Sequence, residues 1–186
     1  AARPMSAAER AACAERGVDA ITEIEFGRDA MVLVHAGGRP GISLTRGQLF
    51  GALAAEVPAQ GKLTENTADR WSDVDPTLPA TEILVMAPEP NTSAAIAFQE
   101  LVLAEGCRAQ SPLDGLDEVE RERVCRSLRR DEHVINAAKR EDGVVAWLED
   151  NATGYAIMNY TTYKDFADRT AVSPSKPVEP SDETIG

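Results

Sequence analysis

Two hydroxyl side chains, Thr92 and Ser93, stand directly after a proline-rich loop, where a helix would begin. The preceding residues 82–86 (EILVM) are apolar and β-prone. Ala87-Pro88-Glu89-Pro90-Asn91 cannot continue a strand, because proline lacks the N–H donor. The pattern is strand, tight polar loop, helix. Such a helix start turns unpaired N–H groups and the positive end of the helix dipole toward the loop, which is the physical make-up of an anion site. The same residues also describe a plain cap, in which Thr92 or Ser93 bonds the first helical turn.

The other reactive residues form no set. Cys13, Cys107 and Cys125 make no C-x-x-C pair, and the two histidines, His35 and His133, lie far apart, so zinc-site spacing is missing. No cofactor is implied. Cys107 follows a predicted helix end and Cys125 lies inside the next predicted helix. A disulfide between them would staple the intervening loop and suits an oxidising compartment; the alternative is two buried thiols in a reducing one. Cys13 reads as a buried thiol. Neither histidine belongs to a recognisable catalytic carboxylate pattern, and no Ser-His-Asp ordering or partnered cysteine nucleophile is found, so the chain reads as non-enzymatic. His35, on an apolar strand, reads as a satisfied core residue.

These candidates need a scaffold, and the chain is long enough to supply one. Its 186 residues suffice for one domain with a core, and 43% are hydrophobic. A net charge of −12 argues against nucleic-acid and anionic membrane partners, but leaves a small anion open, since such a site works through local donors. No run is long and apolar enough to span a bilayer. Ala1-Ala2-Arg3-Pro4 has no signal-peptide pattern, so any export signal is expected to be removed or upstream.

In chain order, Ser6-x-x-Glu9 is a capping box opening a short helix to Gly17. Ala20–Phe26 and Ala30–Ala36 read as strands. Thr45-x-x-Gln48 opens a second helix to about Glu56, with Leu49, Phe50, Leu53 and Ala54 on one face. Residues 57–79 read as a long polar connection pegged to the core by Trp71. After the central loop, Ile96, Ala97, Phe98, Leu101 and Val102 predict one buried stripe, and Gly106 is expected to stop that helix. Residues 108–115 read as a loop. Leu116–Arg130 predicts a charged helix with Leu116, Val119, Val124 and Leu128 inward and ion pairs outward. His133–Ile135 reads as a short strand, Asp142-Gly143 as a helix start, 153–160 as a buried strand and 161–169 as a short helix. Strands alternating with helices predict an α/β lobe over 1–172, a mixed sheet flanked by helices, with a Pro- and acid-rich tail or return linker at 173–186.

This order of motifs resembles the phosphate-binding protein of ABC phosphate transporters, a two-lobed periplasmic binding protein of type II. Ala2-Arg3-Pro4-Met5 with Ser6 and Glu9 is similar to the family's lobe-boundary segment. Ile42–Thr45 with Gln48–Phe50 resembles a family helix, and Trp71–Val74 with Leu78-Pro79 a family connection. Residues 83–98 occupy the place of its anion loop. Asp142-Gly143, Gly154-Tyr155 with Tyr160, and Pro180-Ser181 with Thr184-Ile185 match later segments.

The resemblance implies a periplasmic, non-enzymatic solute-binding component that holds phosphate or a related oxyanion and delivers it to an ABC permease or another membrane assembly. It places the ligand at Asn91, Thr92, Ser93 and Ala94, with Arg3 nearby and Asp142 as an acceptor for a protonated ligand; Asp142 also reads as a helix cap. It implies that the chain is mostly the second lobe, so self-association or a partner chain supplying the other lobe is expected. The loop departs from the family's Ser-Gly-Thr with adjacent arginine: it reads Asn91-Thr92-Ser93-Ala94-Ala95. A charge-assisted bond contributes about 1.5–3 kcal/mol, so its loss opens a second reading, a binding-protein-derived structural or interaction subunit without a ligand.

Overall fold

The computed structural model describes residues 4–25, 30–36, 41–59, 61–110, 113, 116–137, 141–167 and 172–174, with 141–142 and 172–174 described in backbone only. Its centre is a five-stranded sheet in the order β5-β4-β6-β1-β7. The strands are β1 (Met31–Ala36), β4 (Val85–Ala87), β5 (Val134–Asn136), β6 (Tyr155–Asn159) and β7 (Val172–Pro174). β4 runs parallel to both β5 and β6, whereas β1 is antiparallel to β6 and β7. A separate hairpin joins β2 (Glu56–Ala59) to β3 (Lys62–Glu65).

Strand alternation divides the core into two layers. Val85, Ala87, Tyr155 and Ile157 face one side, where they meet Phe50, Leu53, Phe98, Leu103 and Trp71. Met86, Ala156, Met158 and Val34 face the other, against Val144, Val145, Leu148 and Phe166. The first layer is covered by α2 (Arg46–Leu53), α3 (Trp71–Val74), the long helix 93–108 and α6 (Glu118–Arg126); the second by α7 (Glu141–Asp150) and α8 (Tyr160–Ala167).

Both capping boxes form. Ser6 Oγ accepts from the Glu9 N–H while the Ser6 N–H donates to the Glu9 carboxylate, starting α1 (Ala7–Ala14). Thr45 and Gln48 repeat this reciprocal pair at α2. Trp71 is fully buried, edge-on to Tyr155 at 5.7 Å. His35 is buried on β1 with its Nδ1 2.7 Å from the Ala36 carbonyl, a core position as expected. Cys107 and Cys125 form a disulfide with Cα atoms 5.3 Å apart, joining the end of the long helix to α6. Cys13 is a free thiol but half-buried rather than buried.

Several expectations are corrected. Residues 18–25 form no strand: Ile24 is 78% exposed, and the segment is tied back to its own helix, with Glu23 accepting from the Met5 N–H and from Arg10. Phe26 lies outside the described residues. The strand expected over 82–86 is observed at Val85–Ala87, so Ala87, expected in the loop, is its last residue. The polar connection 57–79 contains β3 and α3. The charged helix is shorter, capped by Asp117, and Val119 points outward at 80% exposure. Ser173 and Pro174, expected in the tail, lie in β7 beside β1.

The long helix differs most from a regular reading. It begins as α4 (Ser93–Phe98), passes through π-helical turns at Gln99–Ala104 and ends as α5 (Glu105–Arg108). A wider turn inserts residues into the repeat, so burial passes from Phe98 to Leu103 and Ala104. Leu101, expected in the stripe, is therefore 38% exposed, and Ile96, in the regular turn before it, is 39% exposed beside buried Ala95, Ala97 and Phe98. Gly106 does not stop this helix. It is buried within α5, where a Cβ would lie 2.1 Å from the Arg46 carbonyl oxygen. The glycine is needed for close helix–helix approach.

Candidate functional site

The parallel strands β5, β4 and β6 point their carboxyl ends the same way, and the connections leaving them diverge. From β4 the chain passes through the long helix and α6 to β5 on one side. From β6 it passes through α8 to β7 on the other. The gap between β4 and β6 is therefore the topological switch point of the sheet, the place where open α/β sheets form a ligand crevice. The loop predicted over 87–91 leaves the β4 side of that gap.

The loop is built by a sharp reversal. Pro88 is buried and ends the strand, and Asn91 takes φ 65°, a left-handed conformation that asparagine tolerates better than most residues. Thr92 then caps α4: its hydroxyl donates to the Glu89 carbonyl at 2.7 Å and accepts from the Ala95 N–H at 3.2 Å. That is the plain capping role, and it ties up the Thr92 hydroxyl proton. The Ser93 and Ala94 N–H groups belong to the first helical turn, which has no intrahelical acceptor for them. Ser93 is exposed and Ala94 half-buried, so solvent reaches this first turn. Asn91 is exposed beside them.

Of the other predicted residues, Arg3 lies outside the described residues, as does the side chain of Asp142. The backbone of α7 begins at Glu141, beyond the carboxyl end of β5, so Asp142 belongs to the same edge of the sheet. However, α7 covers the second core layer and α4 the first.

The β6 side of the gap supplies residues that sequence reasoning missed. Asn159 ends β6, and its Oδ1 is buried without a hydrogen-bond partner among the described residues. By alternation it faces the layer of Tyr155 and Ile157, the layer covered by α4. Tyr160 starts α8; it stacks on Tyr163 at 6.0 Å and carries Lys164 Nζ 5.9 Å above its ring. Burial, with Tyr160 beside it, pushes the Tyr163 hydroxyl above its usual range. A buried polar residue closing an apolar strand was the available signal at Asn159.

A cleft of about 840 Å³ lies elsewhere, among Thr45, Gln48, Thr64, Glu65, Asp73 and Asp75. Arg46, at the mouth of α2, meets Gly106 near the far end of the long helix. Gly106 is thirteen residues along the long helix from Ser93, so the cleft lies toward the other end of that helix. Its charged lining is all carboxylate, which suits no anion. Asp75 is held below the usual carboxyl range by the Thr77 N–H, the Thr77 hydroxyl and the Gln48 amide. No helix among the described residues is long and apolar enough to cross a membrane.

Two solved structures share the fold. A protein described as a possible phosphate binding protein from Planctomyces limnophilus DSM 3776 superimposes with a TM-score of 0.55 at 18% identity, over 99% of this chain and 56% of that one. PstS from Borrelia burgdorferi gives 0.53 at 14% identity, over 84% and 51%. At these identities the likeness is one of fold, and the chain spans about half the length of either protein. No curated protein sequence matches it significantly. The family described as the PBP superfamily domain matches residues 1–184, nearly end to end. With an α/β lobe whose central parallel strand leads through a tight loop into a capped helix start, the chain belongs to the PBP superfamily.

Proposed function

We propose that this chain is a non-enzymatic lobe that binds phosphate or a related oxyanion at the start of α4, as part of a periplasmic solute-binding component serving an ABC permease. The observation that carries the reading is the set of Ser93 and Ala94 amides at the head of a 16-residue helical run, 93–108, placed at the sheet's switch point. Asn91 shapes the loop, Thr92 holds the first turn, and the Ser93 hydroxyl adds a third donor. Arg3 supplies positive charge, and Asp142 accepts from a protonated ligand. One solved protein of this fold is described as a possible phosphate binding protein, which supports the choice of anion.

The test is a titration of the isotope-labelled chain with inorganic phosphate, monitored by amide NMR. Binding shifts the amides of 91–95 with saturation, and Ser93→Ala weakens it. Saturable shifts elsewhere, or none up to tens of millimolar, overturn the assignment. A second reading rests on a specific observation, the Thr92 hydroxyl spent on capping in a loop without arginine. In it the lobe is a structural or interaction subunit; a silent titration with the fold intact supports it.

A further inference from the structure

We propose that the outer edge of β3 is a docking site for an extended, basic peptide segment of another protein, which it receives as a third strand of the β2–β3 sheet. The ladder fixes which backbone groups face outward. In an antiparallel pair, residues that exchange N–H···O bonds alternate with residues whose N–H and C=O groups point away from the partner strand. Pro58 stands opposite Leu63 and has no N–H, so that pair is not a bonded one. The bonded pairs are then Val57 with Thr64 and Ala59 with Lys62. The Asn66 N–H, donating to the Ala55 carbonyl at 3.0 Å, continues the same alternation. Leu63 and Glu65 therefore turn their N–H and C=O groups to the outer side of β3, where no strand among the described residues pairs with them.

The two edges of the hairpin differ. On β2 the outward positions are Glu56 and Pro58, and the proline withdraws a donor, which is how an exposed edge is protected from pairing. β3 has no proline, and Lys62, Thr64 and Glu65 are exposed. Two outward donors and two outward acceptors, spaced two residues apart, are the template that an extended chain completes by strand addition.

Charge selects the occupant. Thr64, Glu65 and Asn66 of this strand and its exit also line the cleft, whose charged residues, Glu65, Asp73 and Asp75, are all acidic. Asp75 is bonded by the neutral donors of Thr77 and Gln48, and Asp73 by the Asp69 and Arg70 backbone N–H groups, so these contacts leave both charges uncancelled. A strand added to this edge lays its side chains beside Glu65 and the cleft, where lysine or arginine is the complement. A second copy of this chain would bring a net charge of −12 and a second Glu65, and is repelled. The edge lies on the hairpin, apart from α4, and does not depend on the ligand reading.

The experiment titrates the isotope-labelled chain with the acetylated, amidated peptide Lys-Val-Lys-Val-Lys-Val and, separately, with Glu-Val-Glu-Val-Glu-Val, monitored by amide NMR and hydrogen exchange. The basic peptide should shift the amides of 62–66 saturably and slow exchange at Leu63 and Glu65 about tenfold, with less change at Lys62 and Thr64, which are already bonded to β2. The acidic peptide should shift none of them. Glu65→Pro removes an outward donor without removing a β2–β3 bond, and should weaken the basic peptide about tenfold. Glu65→Lys keeps the donor and reverses the charge, and should weaken it about twofold to fivefold. Unchanged β2 amides show that the hairpin keeps its fold in each variant. No saturable shift at 62–66 up to about 10 mM peptide overturns the proposal, as does an equal response to both peptides or a folded variant of either kind that binds as wild type does. A shift of 62–66 with chain concentration alone also overturns it, because the edge then takes a second copy.

Discussion

Replacing Gly106 by alanine sets two effects of opposite sign against each other, and the structure decides between them. By helix propensity alone the change should stabilise α5 by roughly 0.8–1 kcal/mol, since alanine is the best helix former and glycine nearly the worst. Packing opposes it. The added Cβ would sit 2.1 Å from the Arg46 carbonyl oxygen, 2.6 Å from the Arg46 carbonyl carbon and 3.0 Å from Phe50 Cβ. Two of these neighbours are backbone, so no rotamer change relieves the clash. α2 must retreat by about 1 Å to restore van der Waals distance, which loosens Phe50, itself 1% exposed. Overpacking of this kind costs about 1–3 kcal/mol, and a forced backbone shift belongs at the upper end. Net destabilisation of about 2 kcal/mol lowers Tm by roughly 4–8 °C for a chain of this length. Urea unfolding monitored by tryptophan fluorescence measures it. Gly154→Ala is the control: its added Cβ meets the far edge of the half-buried Trp147 ring at 2.6 Å, a side chain rather than backbone, with the Asn151 carbonyl oxygen no nearer than 3.1 Å. Gly106→Ala as stable as wild type, or Gly154→Ala the more damaging of the two, would refute the packing argument.

Three further outcomes are expected. Replacing Cys107 and Cys125 together by alanine should cost about 3 kcal/mol, because the bridge closes a loop with a sequence separation of 18; dithiothreitol should reproduce the loss in the wild type and add nothing in the variant. Thr92→Ala should cost about 1 kcal/mol through the lost cap, read as a lower urea midpoint, whereas Ser93→Ala should leave stability nearly unchanged. Burial raises the Asp131 carboxyl, but Arg129, the His133 N–H and nearby positive charge outweigh it, so it stays below the ordinary 3.8. A depressed carboxyl stabilises above its unfolded value and stops doing so as pH falls through its folded one. Asp131→Asn should therefore be less stable than wild type at pH 7, and the gap should close below about pH 4 in a pH series of thermal melts.

Local chemistry was legible where it needed only near neighbours. Ser6 with Glu9 and Thr45 with Gln48 announce helix starts by a three-residue spacing, and both form. The prolines at 88 and 90 end β4 by removing donors, and Thr92 caps the helix after them. Long-range geometry was not legible. Nothing in QELVLA marks a π-helical turn, so a regular 3.6-residue repeat buried Leu101 where the structure buries Leu103. Gly106 looked like a stop because its reason, the Arg46 carbonyl, lies 60 positions away. The β2–β3 hairpin hid behind Pro58 and two strands of only four residues each, too short for a clear alternation. Asp69 and His133 are 64 residues apart, so their pairing has no sequence pattern. At the candidate site the loop was found and its β6 wall was not, because Asn159 only becomes a wall once β4 and β6 are known to be neighbours.

The energetics of that crevice set what the lobe can do unaided. The donors in view are the Ser93 and Ala94 amides and the Ser93 hydroxyl. Even counted as bonds to an anion, at about 1.5–3 kcal/mol each, three give roughly 4.5–9 kcal/mol. Association costs at least about 4 kcal/mol in lost translational and rotational freedom. The difference spans no measurable binding to about −5 kcal/mol, and a Kd of 1 mM already corresponds to about −4.1 kcal/mol. Water reaches exposed Ser93, which moves the sum toward the weak end. Tight oxyanion capture at α4 therefore requires donors from beyond this edge of the sheet, either Arg3 or a second surface closing over the crevice. A millimolar phosphate response confined to residues 91–95 is the most that the described lobe can support by itself.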